Sequence, residues 1–296
     1  MVFTKHRLVV MIFPIIFSSL VLTSCQKKQD QDVGIQKTSE AQISSDEIES
    51  KYTDFRVLAE QGDAEAQYQL GKMYYQGKAV NKDYDKAVEW TQKSADQGNA
   101  EAQYYLGKMY YQGKAVIKDY DKAIEWTQKS ADQGNAEAQF QLGAMHFQGR
   151  GVPQDYDQAL KWYEKSADQG NVNAQVFVGG MYDNAYGVNQ DYDKARYWYE
   201  KAASQNFAMA QVLIGVLYYH GNGVAQNYDQ ALKWYEKAAE QEPSVDKASA
   251  LAQYGIGLMY YEGKGVRQNM DTAKSWFGKS CDNGYQDSCD NYRQLN

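Results

Sequence analysis

The tetrapeptide Ala-Glu-Ala-Gln begins at Ala64, at Ala100 and at Ala136, and relatives of it begin at Val172, Ala208 and Ala250. The spacings are 36, 36, 36, 36 and 42 residues. A fixed period of this length is the signature of a repeat array, in which each unit contacts only its neighbours. The first two units differ only at Gln69/Tyr105, Asn81/Ile117 and Val88/Ile124, which marks a duplication. With 43% hydrophobic residues the chain has enough apolar material for a packed core.

Each period reads as helix, turn, helix. Helix A of the first unit is predicted over Ala64–Gln76, with Ala66, Leu70, Gly71 and Tyr74 on one face. Gly71 recurs as Gly107, Gly143, Gly179, Gly215 and Gly257. A glycine inside a helix costs about 1 kcal/mol against alanine, so its recurrence points to a partner helix too close for any Cβ. Gly77 suits a helix C-terminus. Helix B is predicted to start near Asp83, an N-cap type, and to bury Ala87, Trp90 and Ala95 before Gly98 ends it.

The motifs Leu70-Gly71, Gly149-Arg150-Gly151-Val152, Trp162-Tyr163, Asp168-Gln169-Gly170, Gly221-Asn222-Gly223-Val224, Trp234-Tyr235, Gly263-Lys264-Gly265-Val266 and Trp276-Phe277 resemble the Sel1-like repeat family, relatives of the tetratricopeptide repeats. The resemblance implies an all-α fold: a right-handed solenoid of tandem two-helix repeats at about 64–99, 100–135, 136–171, 172–207, 208–249 and 250–285. Ala79, Ala115 and Ala185 stand where the pattern has turn glycines, which leaves the turn geometry open. Glu47–Gln61 reads as a lone helix B and Tyr285–Asn296 as a truncated helix A, capping the two ends.

Upstream of the repeats, Lys5 and Arg7 precede an apolar run from Leu8 to Leu22, which is shorter than the roughly 20 residues a spanning helix needs. Residues 1–24 therefore read as a signal peptide. Leu22-Thr23-Ser24-Cys25 resembles a bacterial lipoprotein box, which implies lipidation of Cys25 and a membrane anchor. By the same analogy Gln26 implies the periplasmic face of the outer membrane. Residues 25–45 read as a polar tether and 46–296 as the repeat domain.

Loss of residues 1–24 would leave 29 basic against 38 acidic residues. Such a balance excludes phosphate-neutralising nucleic-acid binding and disfavours an acidic partner. Cys281 and Cys289 lie across the last helix–turn–helix corner, with a disulfide, free thiols or a metal pair open to them. The family resemblance favours a disulfide, since cysteine-rich members have a bridge with this spacing. No histidine lies within fifty residues to complete a metal site. His146 takes the place of the packing residue Tyr74 and reads as a satisfied core histidine, and His220 lies 74 residues further on.

Some cysteine-rich members of the family are described as β-lactamases. Ser244-Val245-Asp246-Lys247 fits the Ser-x-x-Lys of that chemistry, but Ser-Asp-Asn and Lys-Thr-Gly partners are missing, so the match is read as chance. Asp85, Glu89 and their equivalents read as a solvated helix face. The chain is expected to need no cofactor or metal and to have no catalytic residues.

In the related tetratricopeptide geometry, helices A line a concave groove. The resemblance places Tyr68, Tyr104, Phe140 and Tyr254 there at the fifth position of the repeat. Lys72 and Lys108 come at the ninth, and Tyr75, Tyr111, Phe147, Tyr219 and Tyr261 at the twelfth. Val176, Val212 and Asp183 interrupt the aromatic stripe around the fourth unit. These rings either form a partner-binding groove or fill gaps between neighbouring A helices. The family implies a scaffold that docks a protein or peptide, with immunity to a secreted lipase toxin as one form of that role. A β-lactam-active enzyme and a peptidoglycan-binding envelope protein are the alternatives.

Overall fold

A computed structural model describes residues 45–241 and 247–295, with side chains from residue 50 onward. Residues 1–44, with the expected signal peptide, Cys25 and all of the expected tether but Ser45, lie outside the described residues, as does Ser244. Among the described residues there are fourteen helices and no strand. They divide into two compact units, 45–171 and 172–295.

In the first unit, α1 (Ser45–Glu60) is the lone helix B. Three pairs follow: α2 (Ala64–Gln76) with α3 (Tyr84–Asp96), α4 (Ala100–Gln112) with α5 (Tyr120–Asp132), and α6 (Ala136–Gln148) with α7 (Tyr156–Asp168). The second unit holds α8 (Val172–Asn184) with α9 (Tyr192–Ser204), α10 (Ala208–His220) with α11 (Tyr228–Ala239), and α12 (Ala248–Glu262) with α13 (Met270–Asp282). The short α14 (Gln286–Gln294) closes it.

The helix boundaries follow from local chemistry. Asp63, Asn99 and Asn135 accept the backbone N–H three residues on, at 2.7–2.9 Å, and so start the A helices of the first unit. Asp83, Asp119 and Asp155 do the same for its B helices at 2.9–3.0 Å. Each such cap is worth about 1 kcal/mol. Gly77, at φ 72°, ends α2 with its N–H on the Met73 carbonyl at 2.9 Å. The turn left open by the sequence keeps its left-handed positions: Ala79 and Ala115 adopt φ of 61° and 67°, beside 75° at Gly151, and Ala185 adopts 57°, beside 66° at Gly149. The alanines thus occupy a left-handed conformation that costs an L-residue about 1–2 kcal/mol.

The recurring helix glycine has the predicted cause. A Cβ on Gly71 would lie 2.5 Å from Thr91 Oγ1 and 3.1 Å from the Ala87 carbonyl oxygen. In the third to sixth repeats a ring takes the threonine's place. Tyr163, Tyr199, Tyr235 and Phe277 lie over Gly143, Gly179, Gly215 and Gly257, 2.6–2.7 Å from where a Cβ would be.

The glutamine of the repeated tetrapeptide ties three helices together. Gln103 Nε2 donates to the Ala95 carbonyl of the preceding helix B at 3.0 Å, and its Oε1 accepts from Gln133 at the end of its own helix B at 2.7 Å. Gln67 and Gln139 repeat the pattern. A buried amide that meets its donor and acceptor needs strengthens packing instead of opposing it.

The two ends carry charges where internal repeats require small residues. In repeat register, Lys51 of α1 stands where Ala87 and its equivalents are fully buried, and Arg293 of α14 stands where the helix glycine lies. A further helix could not pack on either end in the manner of an internal repeat.

Candidate binding faces of the two units

In the first unit the A helices lie side by side, as the contacts between their side chains show. Tyr105 meets Tyr68 and Tyr75 of the preceding A helix edge-on, at centroid distances of 6.0 and 5.6 Å. Each twelfth-position ring also packs on the aromatic residue that opens its own helix B. Tyr75–Tyr84, Tyr111–Tyr120 and Phe147–Tyr156 have centroid distances of 5.4, 5.5 and 4.9 Å. At the fifth position, Tyr104 packs with Ala131, Ala138 and Leu142, and Phe140 lies 5.5 Å from Tyr163.

These rings are therefore buried: Tyr68, Tyr75 and Tyr111 are 7% exposed, and Tyr104 and Phe147 are 8%. An open aromatic stripe is not what these positions form. Tyr68, Tyr75, Tyr104 and Tyr111 fill the seams that the next A helix of the unit closes, so their faces are spent on packing and little more than an edge or hydroxyl reaches the surface. Tyr261 is 44% exposed because it belongs to the last full repeat.

The polar groups on the first unit's A face are ordered by the same rings. Lys72 Nζ lies 5.2 Å from the Tyr68 ring centre. Lys108 is buried beside Tyr75, Tyr105, Met109 and Gln112 around a hollow with room for about one water. Arg150 donates to the Tyr111 hydroxyl at 2.7 Å, and that hydroxyl donates to Gln148 Oε1 at 3.2 Å. His146, on α6, is half-buried, and its Nδ1 has no hydrogen-bond partner among the described residues, so it is not the satisfied core histidine the sequence suggests. Burial holds its pKa below the usual imidazole range, against the opposing field of Asp155.

The second unit is built differently. Its fifth positions begin with the buried Val176 and Val212, and Asp183 takes the twelfth position of the fourth repeat. Asp183 is 5% exposed, with Oδ2 on the Tyr199 hydroxyl at 3.2 Å. Burial pushes its pKa up to about 6, with the Tyr199 hydrogen bond opposing the rise. Tyr219 donates to Glu262 and accepts from Lys264 Nζ at 3.1 Å, and Lys264 pairs with Glu262 at 2.8 Å. Burial first, then Glu262, raises the Tyr219 pKa well above that of a free phenol. Tyr254 is buried between Phe277 and Tyr285.

Cys281 and Cys289 are joined by a disulfide with Cα atoms 4.7 Å apart, which ties α13 to α14. Lys247, the described end of the Ser-x-x-Lys match, donates to the Gly284 carbonyl at 2.8 Å and so ties the start of α12 to the turn before α14. Two features escaped the sequence reading: the glutamine ladder and the ring that replaces threonine over the helix glycine. Both were visible as periodic residues, at Gln67 and Gln97 and at Thr91 and Tyr163.

Side-by-side helix pairs, one glycine-mediated contact per pair and a ladder of seam-filling rings define a tandem two-helix repeat protein. The profile of the Sel1 repeat matches residues 64–99, 100–135, 136–171, 172–207, 208–243 and 250–285, and the chain belongs to that family. Among solved structures it is similar to c5321, a protective antigen of uropathogenic Escherichia coli strains displaying an SLR fold. That match has a TM-score of 0.73 and 35% identity over 80% of this chain and 50% of the other. It is also similar to a Sel1 repeat protein from Oxalobacter formigenes, with a TM-score of 0.66 and 31% identity over 75% of this chain and 88% of that one. A sel1-like repeat-containing protein, L18, of Acanthamoeba polyphaga mimivirus is 48% identical over 40 residues, 14% of this chain and 7% of the viral protein. The chain thus spans about half the length of the E. coli structure and a small part of the viral relative.

Proposed function

We propose that the protein is a lipid-anchored binding scaffold of the bacterial envelope that docks a protein or peptide along its A-helix faces. One observation carries the reading: the A helices are locked side by side by buried rings and glutamine ladders. The polar groups between them are therefore held in place before any partner arrives. Docking on a preformed surface loses little conformational entropy. Anchoring through Cys25 and a periplasmic outer-membrane location belong to the same proposal, as does a scaffold role without catalysis. Neutralisation of a secreted lipase is the most specific form of it.

Affinity capture of the full-length protein from its native envelope, with mass spectrometry of what is retained, tests the reading. A specific partner should be lost in Lys72→Ala/Gln112→Ala, on the A face, and kept in Lys93→Ala/Lys129→Ala, on the B helices. Equal capture by both variants would refute it. Retention of Cys25→Ser protein in the aqueous phase of a detergent partition tests the anchor.

A further inference from the structure

Repeats one and two each carry three lysines at the turn-side edge of the A face: at the ninth position (Lys72, Lys108), in the turn (Lys78, Lys114) and before helix B (Lys82, Lys118). The third repeat has only Arg150 there, between Ala144 and Gln154. At these positions the fourth repeat has Gly180, Tyr186 and Gln190, and the fifth has Val216, Asn222 and Gln226. Lys264 in the sixth is already paired with Glu262.

Ring contacts place the cations of the first unit on one edge. Lys82 lies 5.8 Å from the centre of Tyr84, which packs on Tyr75. Lys118 lies 5.1 Å from Tyr120, which packs on Tyr111, the ring that also receives Arg150. Lys78, Lys114 and Arg150 are exposed. Among the described residues none of Lys72, Lys78, Lys82, Lys114, Lys118 and Arg150 pairs with a carboxylate. On the B helices of repeats one and two, by contrast, Lys86, Lys93, Lys122 and Lys129 all have acidic partners.

We infer that this edge of the 45–171 unit binds an acidic, extended peptide segment of a partner protein. The inference rests on the scaffold reading above and names the chemistry of what docks. The chain's net charge of −7 argues against acidic partners only on average. Locally Lys72, Lys78, Lys82, Lys114, Lys118 and Arg150, none paired with a carboxylate among the described residues, run through three repeats. Neighbouring rungs lie about one interhelical spacing, ~10 Å, apart. An extended strand rises about 3.3 Å per residue, so carboxylates about three residues apart match successive rungs, and the long flexible lysine side chains take up the difference for those two residues apart.

A peptide also fits better than other polyanions. Glu65, Glu101 and Glu137 line the opposite end of the same A helices, only about 10 Å along the axis from the ninth position. A single strand can follow the basic edge without meeting them. A nucleic acid or a flat anionic membrane would lie across both rows.

The test uses the full-length chain in neutral detergent and fluorescein-labelled ten-residue peptides of alternating Glu/Gly, Gln/Gly and Lys/Gly, with a ten-nucleotide oligothymidylate alongside. The Glu/Gly peptide should bind, and the other two peptides should not. Lys78→Glu/Lys114→Glu should weaken it at least about tenfold, with an unchanged melting curve. Lys161→Glu/Lys233→Glu, which makes the same charge change on the B helices, should leave binding within about twofold. Equal binding of the Gln/Gly peptide, equal weakening by both double variants, or tighter binding of oligothymidylate would overturn the inference. If the native partner is captured through the A face but Lys78→Glu/Lys114→Glu leaves that capture unchanged, the scaffold reading stands and the acidic-peptide inference falls.

Discussion

The Tyr199 hydroxyl donates to Asp183 Oδ2 at 3.2 Å, and the other oxygen, Oδ1, is buried with no hydrogen-bond partner among the described residues. The pair sits in the fourth repeat, where Asp183 replaces the twelfth-position ring of the other repeats. A buried carboxylate with a single donor is costly, because its charge loses more hydration than one hydroxyl returns.

This relationship predicts a pH-dependent stability difference. The folded-state pKa of Asp183 is raised to about 6, above its unfolded value, so the native state binds the extra proton between roughly pH 4 and 6. The carboxyl opposes folding above that window and ceases to do so below it. Asp183→Asn should therefore be more stable than the parent by about 2 kcal/mol at pH 7.5, and the gain should vanish near pH 4. Urea melts of the two proteins across this range check it, and a gain independent of pH would contradict it.

Gly71 and Thr91 give a second prediction. Gly71→Ala should lower stability by about 2 kcal/mol, since the new Cβ meets Thr91 Oγ1 and the backbone of Ala87, outweighing the gain in helix propensity. Thr91→Val should be neutral or stabilising by about 1 kcal/mol, because Thr91 Oγ1 is buried with no hydrogen-bond partner among the described residues and valine keeps its shape. Thermal melts of the two single variants separate these opposite signs.

The Cys281–Cys289 bridge closes a short loop, which the chain-entropy account values at about 2–3 kcal/mol. Its loss should act locally. Hydrogen exchange of Cys281→Ser/Cys289→Ser should show faster exchange in α14, with α2 to α7 unchanged. Uniformly faster exchange throughout would mean that the bridge supports more than the cap.

The period, the helix bounds and the helix glycine were all legible in the residues, because each reflects a local or nearest-neighbour demand that recurs six times. Helix A of the first repeat runs Ala64–Gln76 and its glycine meets helix B, both as the pattern implied. The destination of the rings was not legible. Tyr75 and Tyr111 look alike whether they face a partner or a seam, and only the position of Tyr105, or of Tyr120 behind it, decides. Charge was misleading for a different reason. A net sum over the chain hides the fact that Lys78 and Lys114 lack the acidic partners that Lys93 and Lys129 have.

The central claim is that the A-helix rings hold neighbouring repeats together, so that binding belongs to the polar groups between them. Tyr104→Ala/Tyr111→Ala tests it most directly by thermal melting. Each truncation removes a buried ring worth about 3–5 kcal/mol, so the double variant should melt more than about 10 °C lower or fail to fold. An unchanged melting temperature, with partner capture lost, would show instead that these rings serve the partner and not the stack.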